Sequence, residues 1–235
     1  MDLEFDHATF SGQVPLFPLP GTVLLPGGLL PLHVFEPRYR LMARAAVDGE
    51  RLIAMALLRP GYEADYEGAP EVAPHVCVGR VLMDDALPDG RWNLLLLGLR
   101  RARILAEDRS RPYRVATVEV LEDPARDPER ERALALALAR LLRRIPDDLV
   151  RDPQRRAVVL QKLARPPAPG GLAFGTLLDL AADALLLGVL DRQRLLAAHD
   201  AEPRLEALAE VLGRRAAELE ALRRPPAWPP RFSRN

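Results

Sequence analysis

The hydrophobic period of this chain changes once, and the change restricts what it can fold into. Before "EDPARDP" (122–128), apolar residues come in short runs or alternate every second position, the repeat of a β-strand. After it they recur three and four apart, the repeat of an α-helix. Strands gathered first and helices afterwards indicate an α+β fold. At 235 residues the chain suffices for one large domain or two small ones, burying roughly 70% of the surface that the unfolded form exposes.

The strand-like runs are "VPLFPLP" (14–20), "RLIAMALL" (51–58), "HVCVGRVLM" (75–83), "RWNLLLLGL" (91–99) continued by "RARIL", and "YRVATVEVLED" (113–123). Three prolines in the first run remove ladder donors, so it is expected at a sheet edge or as a covering segment. Asp89-Gly90 between two apolar runs predicts a hairpin. Gly79 and Gly98 inside strands predict bulges or corners. Short strands marked for bending predict a small, closed or nearly closed β-barrel.

The helical half announces its starts. Asp127-Pro128 and Asp152-Pro153 each place a capping carboxylate before a proline at the first helical position. Thr176 with Asp179 has the spacing of a capping box opening "LLDLAADALLL". Asp191 opens a short helix that ends near His199. Leu205, Leu208, Leu212, Leu219 and Leu222 form a heptad-like seam on a long last helix. The seam is read as packing on neighbouring helices, with a dimer seam as the alternative. The tail at 225–235 is Pro-rich and is expected to be disordered.

One junction breaks the β half. "PLHVFEPRYR" (31–40) runs from an apolar strand into Glu36, Pro37 and Arg38. Pro37 suits the first position of a helix, whose buried face then holds Tyr39, Met42, Ala43 and Ala46. Glu36 sits beside the positive end of that helix, which stabilises it by about 0.3–1 kcal/mol. Glu36 is further expected to pair with Arg38, Arg101 or Arg103 in a structural corner.

Composition excludes several function classes. Lys plus Arg and Asp plus Glu both number 33, a balance unlike that of a protein built to grip phosphate backbones. Cys77 is the single cysteine and reads as a small buried hydrophobe. The four histidines lack metal-ligand spacing, and no metal or cofactor is expected. The opening residues carry no signal-peptide core and no apolar run reaches 18 residues, so a soluble, cytoplasmic protein is expected. Lys162 is the single lysine, far in sequence from Ser11, Ser110 and Ser233, and no G-x-x-x-x-G-K-[ST] loop occurs. No catalytic residue is assigned.

Three stretches in order, "VPLFPLPGTVLLPGGLLPLHVFEPRYRLM", "VGRVLMDDALPDGRWNLLLLGLRRARIL" and "PYRVATVEVLED", resemble the N-terminal substrate-binding domain of the Lon protease family. The likeness is dense over 12–123 and looser through "LLDLAADALLLGVLDRQRLLAAHDAEPRLEALAEVL". It implies a PUA-like β-barrel subdomain over 12–123 and a helical-bundle subdomain over 127–224, without Lon's ATPase and peptidase modules. The function it implies is non-enzymatic recognition of exposed peptide segments or partner proteins in protein quality control, alongside a separate protease or ATPase. Phe35, Arg38 and Tyr39 at the corner, with Tyr62 and Tyr66 on the acidic loop 59–74, are the expected contacts. A monomer or weak dimer is expected. Two alternatives stand beside this reading. One is an RNA-binding module using the arginines after Gly98, although nucleic acid fits the net charge poorly; the other is an oligomeric scaffold built on the last helix.

Overall fold

The computed structural model describes residue 5 and residues 10–65, 68–124, 127–164 and 172–223. Six strands come first: β1 (Gln13–Leu19), β2 (Leu29–Val34), β3 (Leu52–Leu57), β4 (His75–Ala86), β5 (Trp92–Asp108) and β6 (Val115–Leu121), with helix α1 (Pro37–Asp48) between β2 and β3. Helices α2 (Pro128–Arg144), α3 (Pro153–Leu163), α4 (Phe174–Asp183), α5 (Val189–Ala197) and α6 (Ala201–Arg223) follow. The Pro-rich tail and Tyr66 lie outside the described residues.

The strands form one mixed sheet in the order β2-β5-β4-β3-β1-β6, and β5 also pairs with β6. The barrel expected from sequence is observed as a mixed sheet curled on itself, in which β6 returns to pair with the second half of β5. Two devices bend it. The β4–β5 register slips between Val78 and Gly79 and again between Val81 and Met83, so the glycine-marked bulge is present. Gly98 is required by close approach, because a Cβ there would lie 2.2 Å from the Leu25 carbonyl oxygen. Gly90, at φ +81°, turns the Asp89-Gly90 hairpin.

β1 is not the edge strand that its prolines predict. It pairs with β6 over Gln13–Pro15 and with β3 over Leu16–Leu19. The two partners take opposite halves of the strand, which leaves one side of each proline free of a ladder. The free edge belongs instead to β2, which pairs with β5 alone.

Two apolar clusters account for the unbroken run in β3. Leu52, Ala54 and Ala56 face the inside of the curl with Val14, Leu16, Val76, Val78, Ala102 and Ala116. Ile53, Met55 and Leu57 face the other way, into a larger cluster shared with α1 and the later helices. A strand buried on both faces has no polar position to alternate with. Small side chains inside the curl let the strands close in on one another.

The helix starts follow the sequence with two exceptions. α5 opens at Val189 after Gly188, so Asp191 sits in its first turn instead of opening it. Asp127 accepts from the Arg130 N–H and Asp152 from the Arg155 N–H, as N-caps. α4 begins earlier than the Thr176–Asp179 spacing predicts, at Phe174, whose N–H donates to Glu131. Asp179 is thereby released from capping, and it lies buried within α4. Along α6, Leu205, Leu208 and Leu212 are buried, Leu219 is half-buried against the core and Leu222 is exposed. Most of the heptad seam is thus spent inside the chain.

Candidate functional site

In β2 and the first half of β5, alternate residues face opposite ways. Leu30, Leu32, Val34, Trp92, Leu94 and Leu96 point into the large cluster. Leu29, Pro31 and His33 turn outward beside their cross-strand partners Leu97, Leu95 and Asn93, and Leu95 is opposed in turn by Met83 of β4. This outer face is largely hydrocarbon. Met83 is 66% exposed and Leu29 44%, and Phe35, two residues past His33 with the ring centroids 6.3 Å apart, is 60% exposed. Leu95 is half-buried beside Pro31 and Met83, and Leu97, beside Leu29, is half-buried against the cluster inside the curl.

Polar groups border the face at one end. Asn93 accepts from the His33 ring and donates to Asp85 at 3.2 Å, and Arg91 lies 3.1 Å from the other ring nitrogen. Apolar residues exposed as a contiguous group and rimmed by polar ones mark interaction surfaces, whereas scattered ones need no explanation. The backbone edge of β2 offers less. The Gly98 N–H bonds to the Gly28 carbonyl at 2.9 Å, which sets the ladder so that odd-numbered residues of β2 turn their backbone outward. Pro31 then removes a donor from the middle of that edge, a guard against strand addition.

Charge occupies the opposite position, between the sheet and the helices. Asp179 and Asp183 stand one turn apart on α4, each 2% exposed. Asp179 accepts from Arg101 of β5 at 2.8 Å and from Arg204 of α6 at 3.0 Å. Arg204 is wholly buried, and it also reaches Asp123 and the carbonyls of Gly175, Ala198 and His199. Asp183 accepts from Arg151 at 2.9 Å, from Arg192 of α5 at 2.6 Å and from Arg155 of α3. Each buried ion is thus paired and hydrogen-bonded, the condition under which burial of charge is tolerated.

The residues predicted from sequence are dispersed over these surfaces. Glu36 caps no N–H of α1 with its side chain, yet Arg38 Nε donates to it at 3.0 Å, so the corner pair is present. The Arg38 guanidinium also lies over the Tyr39 ring, 4.7 Å from its centroid. Tyr39 is buried, its ring 4.6 Å from that of Phe17, and it shares a narrow crevice with Pro70 of the acidic loop. Tyr62 is half-buried in a short turn of 3-10 helix. Arg101 and Arg103 leave the corner altogether: the first serves Asp179 and the second pairs with Glu119 at 2.7 Å. Long-range partners claimed them, which spacing alone does not reveal.

The remaining arginines of that run are also engaged. Arg114 forks onto Glu107 at 2.7 Å and Arg109 reaches the same carboxylate at 3.4 Å. Burial pushes the Glu107 carboxyl up, but the two guanidinium groups outweigh it and hold it below the usual glutamate value. Cys77 is fully buried, and burial pushes its thiol far up, so it is inert as a nucleophile. Among the described residues no cluster of His, Cys, Asp and Glu could hold a metal ion, and no helix is long and apolar enough to cross a membrane. Sequence reasoning missed the Asp179–Asp183 pair as buried anchors. Its signal was present, as two carboxylates at i and i+4 in an otherwise apolar helix.

Proteins similar to this chain include Lon proteases. A 203-residue stretch, 86% of this chain, is 27% identical to a Lon protease of Anaeromyxobacter dehalogenans, and 208 residues are 28% identical to the Lon protease of Escherichia coli K12. The chain spans about a quarter of the length of these curated relatives, 23% and 24%. Among solved structures, the N-terminal domain of Mycobacterium avium complex Lon protease shares the fold at a TM-score of 0.62 and 20% identity, with 86% of this chain and 98% of that one covered. A Lon N-terminal domain protein from Xanthomonas campestris aligns at 0.54 and 28% identity, over 83% and 96%. These matches reach the substrate-binding domain of Lon and none of its catalytic domains. With residues 13–214 matched by the family model for the ATP-dependent protease La (LON) substrate-binding domain, this chain belongs to that family.

Proposed function

We propose that the chain is a recognition module that holds exposed apolar segments of other polypeptides on the outward face of β2, β5 and β4. The observation that carries this reading is the contiguity of Phe35, Pro31, Leu29, Leu95 and Met83 on a sheet whose opposite face is already filled. The PUA-like barrel subdomain (12–123) then supplies the contact surface, and the helical-bundle subdomain (127–224) braces it through the buried arginines. Phe35 remains a contact residue in this reading. Arg38 and Tyr39 act mainly by fixing the corner from which Phe35 projects, and Tyr62 lies on the separate loop 59–74.

The RNA-binding alternative is the weaker reading, because four of the six arginines of that run, Arg101, Arg103, Arg109 and Arg114, are paired with carboxylates. An arginine already paired with a carboxylate gains less from a phosphate contact than a free one. The scaffold alternative loses the buried part of the α6 seam.

The test is binding of a permanently unfolded, fluorescein-labelled model protein to the chain, followed by anisotropy. Met83→Asp and Phe35→Asp are each expected to weaken binding about tenfold, the effect of setting a charge against apolar side chains at a contact centre. Tyr62→Ala is expected to change it by less than about threefold. Binding that ignores both aspartate variants removes the face from the assignment, and absence of binding to the unmodified chain removes the function.

A further inference from the structure

The apolar face runs out at Leu29, and a cleft of about 640 Å³ begins there. It is lined by Leu29, Arg151, Asp152, Pro153, Gln154, Arg155 and Asp183. Three guanidinium groups, those of Arg151, Arg155 and Arg192, converge on the single carboxylate of Asp183. Both Asp183 oxygens are taken, Oδ2 by Arg151 and Arg155 and Oδ1 by Arg192. Asp152, the other acid in the cleft, accepts from the Arg155 N–H with Oδ1 and lies 3.7 Å from its guanidinium. The cluster therefore holds three cations and two carboxylates, with Arg192 behind the lining and Arg151 and Arg155 in it. The unspent donors belong chiefly to Arg151, whose side chain is about half exposed. Its Nη2 is directed at the Asp183 carboxylate and carbonyl oxygen, which leaves the rest of the fork toward the cleft.

We propose that this cleft takes a carboxylate of the bound polypeptide, so that the preferred segment is apolar with an Asp, a Glu or the chain terminus at one end. This deepens the reading of the apolar face as a peptide surface and rests on it. Leu29 joins the two regions, since it lines the cleft and also begins the outward row on β2. The row from Leu29 to Val34 covers six residues, and an extended peptide spans that length, about 20 Å, with a similar number. A planar guanidinium fork beside an apolar wall suits a carboxylate on a polypeptide, which brings neighbouring side chains for the wall, better than a free anion.

Two fluorescein-labelled peptides decide the matter, both with the same apolar hexapeptide, one ending in Glu-Glu and the other in Gln-Gln. The acidic peptide is expected to bind the full chain about fivefold more tightly at low salt, a charge-assisted contact partly screened by water. That ratio is expected to fall toward one at high salt. Arg151→Gln is expected to bind both peptides alike, at the level of the Gln peptide. Its thermal midpoint should stay close to that of the unmodified chain, because Arg155 and Arg192 still satisfy Asp183. Met83→Asp should weaken both peptides and preserve their ratio. Equal binding of the two peptides, with the Met83→Asp loss intact, overturns the carboxylate subsite and leaves the apolar reading standing. Equal binding that Met83→Asp also leaves unchanged overturns both. Displacement of the acidic peptide by inorganic phosphate at equal concentration reassigns the cleft to free anions and overturns the proposal.

Discussion

The seam between sheet and helices and the outer face of the sheet invert the usual placement of residue types. At the seam Asp179, Asp183, Arg101 and Arg204 are all nearly or wholly buried; on the outer face Met83, Phe35 and Leu29 meet solvent. Long-chain charge is rarely buried unless paired, and a contiguous exposed apolar group is uncommon on a monomer. Both departures carry a free-energy cost, and the two are met differently. The seam settles its cost internally, by pairing every ion. The outer face does not settle it within the chain, which is why it is the better candidate for a contact surface. Buried charge here is architecture, and exposed hydrocarbon is where function is expected.

That contrast can be broken most forcefully at Asp179. Asp179→Ala leaves Arg101 and Arg204 buried without their shared carboxylate, and is expected to cost about 3–5 kcal/mol, read as a lowered urea midpoint. A loss below about 1 kcal/mol would mean that the seam is not the brace described here. A smaller effect is expected on acidification. The folded-state pKa of Glu107 lies below its unfolded value. Its pairing with Arg114 and Arg109 therefore stabilises the fold above the unfolded glutamate pKa, about 4.3–4.5, and is lost as pH falls through the folded value. Urea melts should accordingly show the gap between the unmodified chain and Glu107→Gln narrowing from pH 6 to pH 3; a gap that widens reverses the sign argued for this pair. The smallest effect belongs to the outer face. Met83→Ser should shift stability by no more than about 0.5 kcal/mol, as surface changes do. A large loss there would show that Met83 is packed and no contact surface.

Much of the fold was legible because its signals are local. The Asp-Pro helix starts, the Asp89-Gly90 turn, the bulge at Gly79 and the buried face of α1 at Tyr39, Met42, Ala43 and Ala46 depend on a few consecutive residues. The site was legible only in part. Phe35 was singled out, since an aromatic at a strand-to-helix junction stands out, and it lies among the exposed apolar residues of the proposed surface. Met83, Leu29 and Leu95 were not, because an apolar residue in a strand reads the same whether its face is covered or bare. Arg101 was one of three arginines offered as a partner for Glu36, and Arg38 fills that place. Arg101 meets Asp179 across 78 residues of chain, a pairing that no local spacing signals.

By itself, then, the order of residues determined where the period changes, where helices begin, where the chain turns and which side of α1 is apolar. Each of these is settled by backbone sterics and hydrogen bonding within one or two turns of chain. Only the tertiary structure decided which carboxylate each arginine would meet and which sheet face would stay uncovered. Those outcomes depend on the relative placement of elements far apart in sequence, and neither a charge nor a leucine carries a local mark of what packs against it.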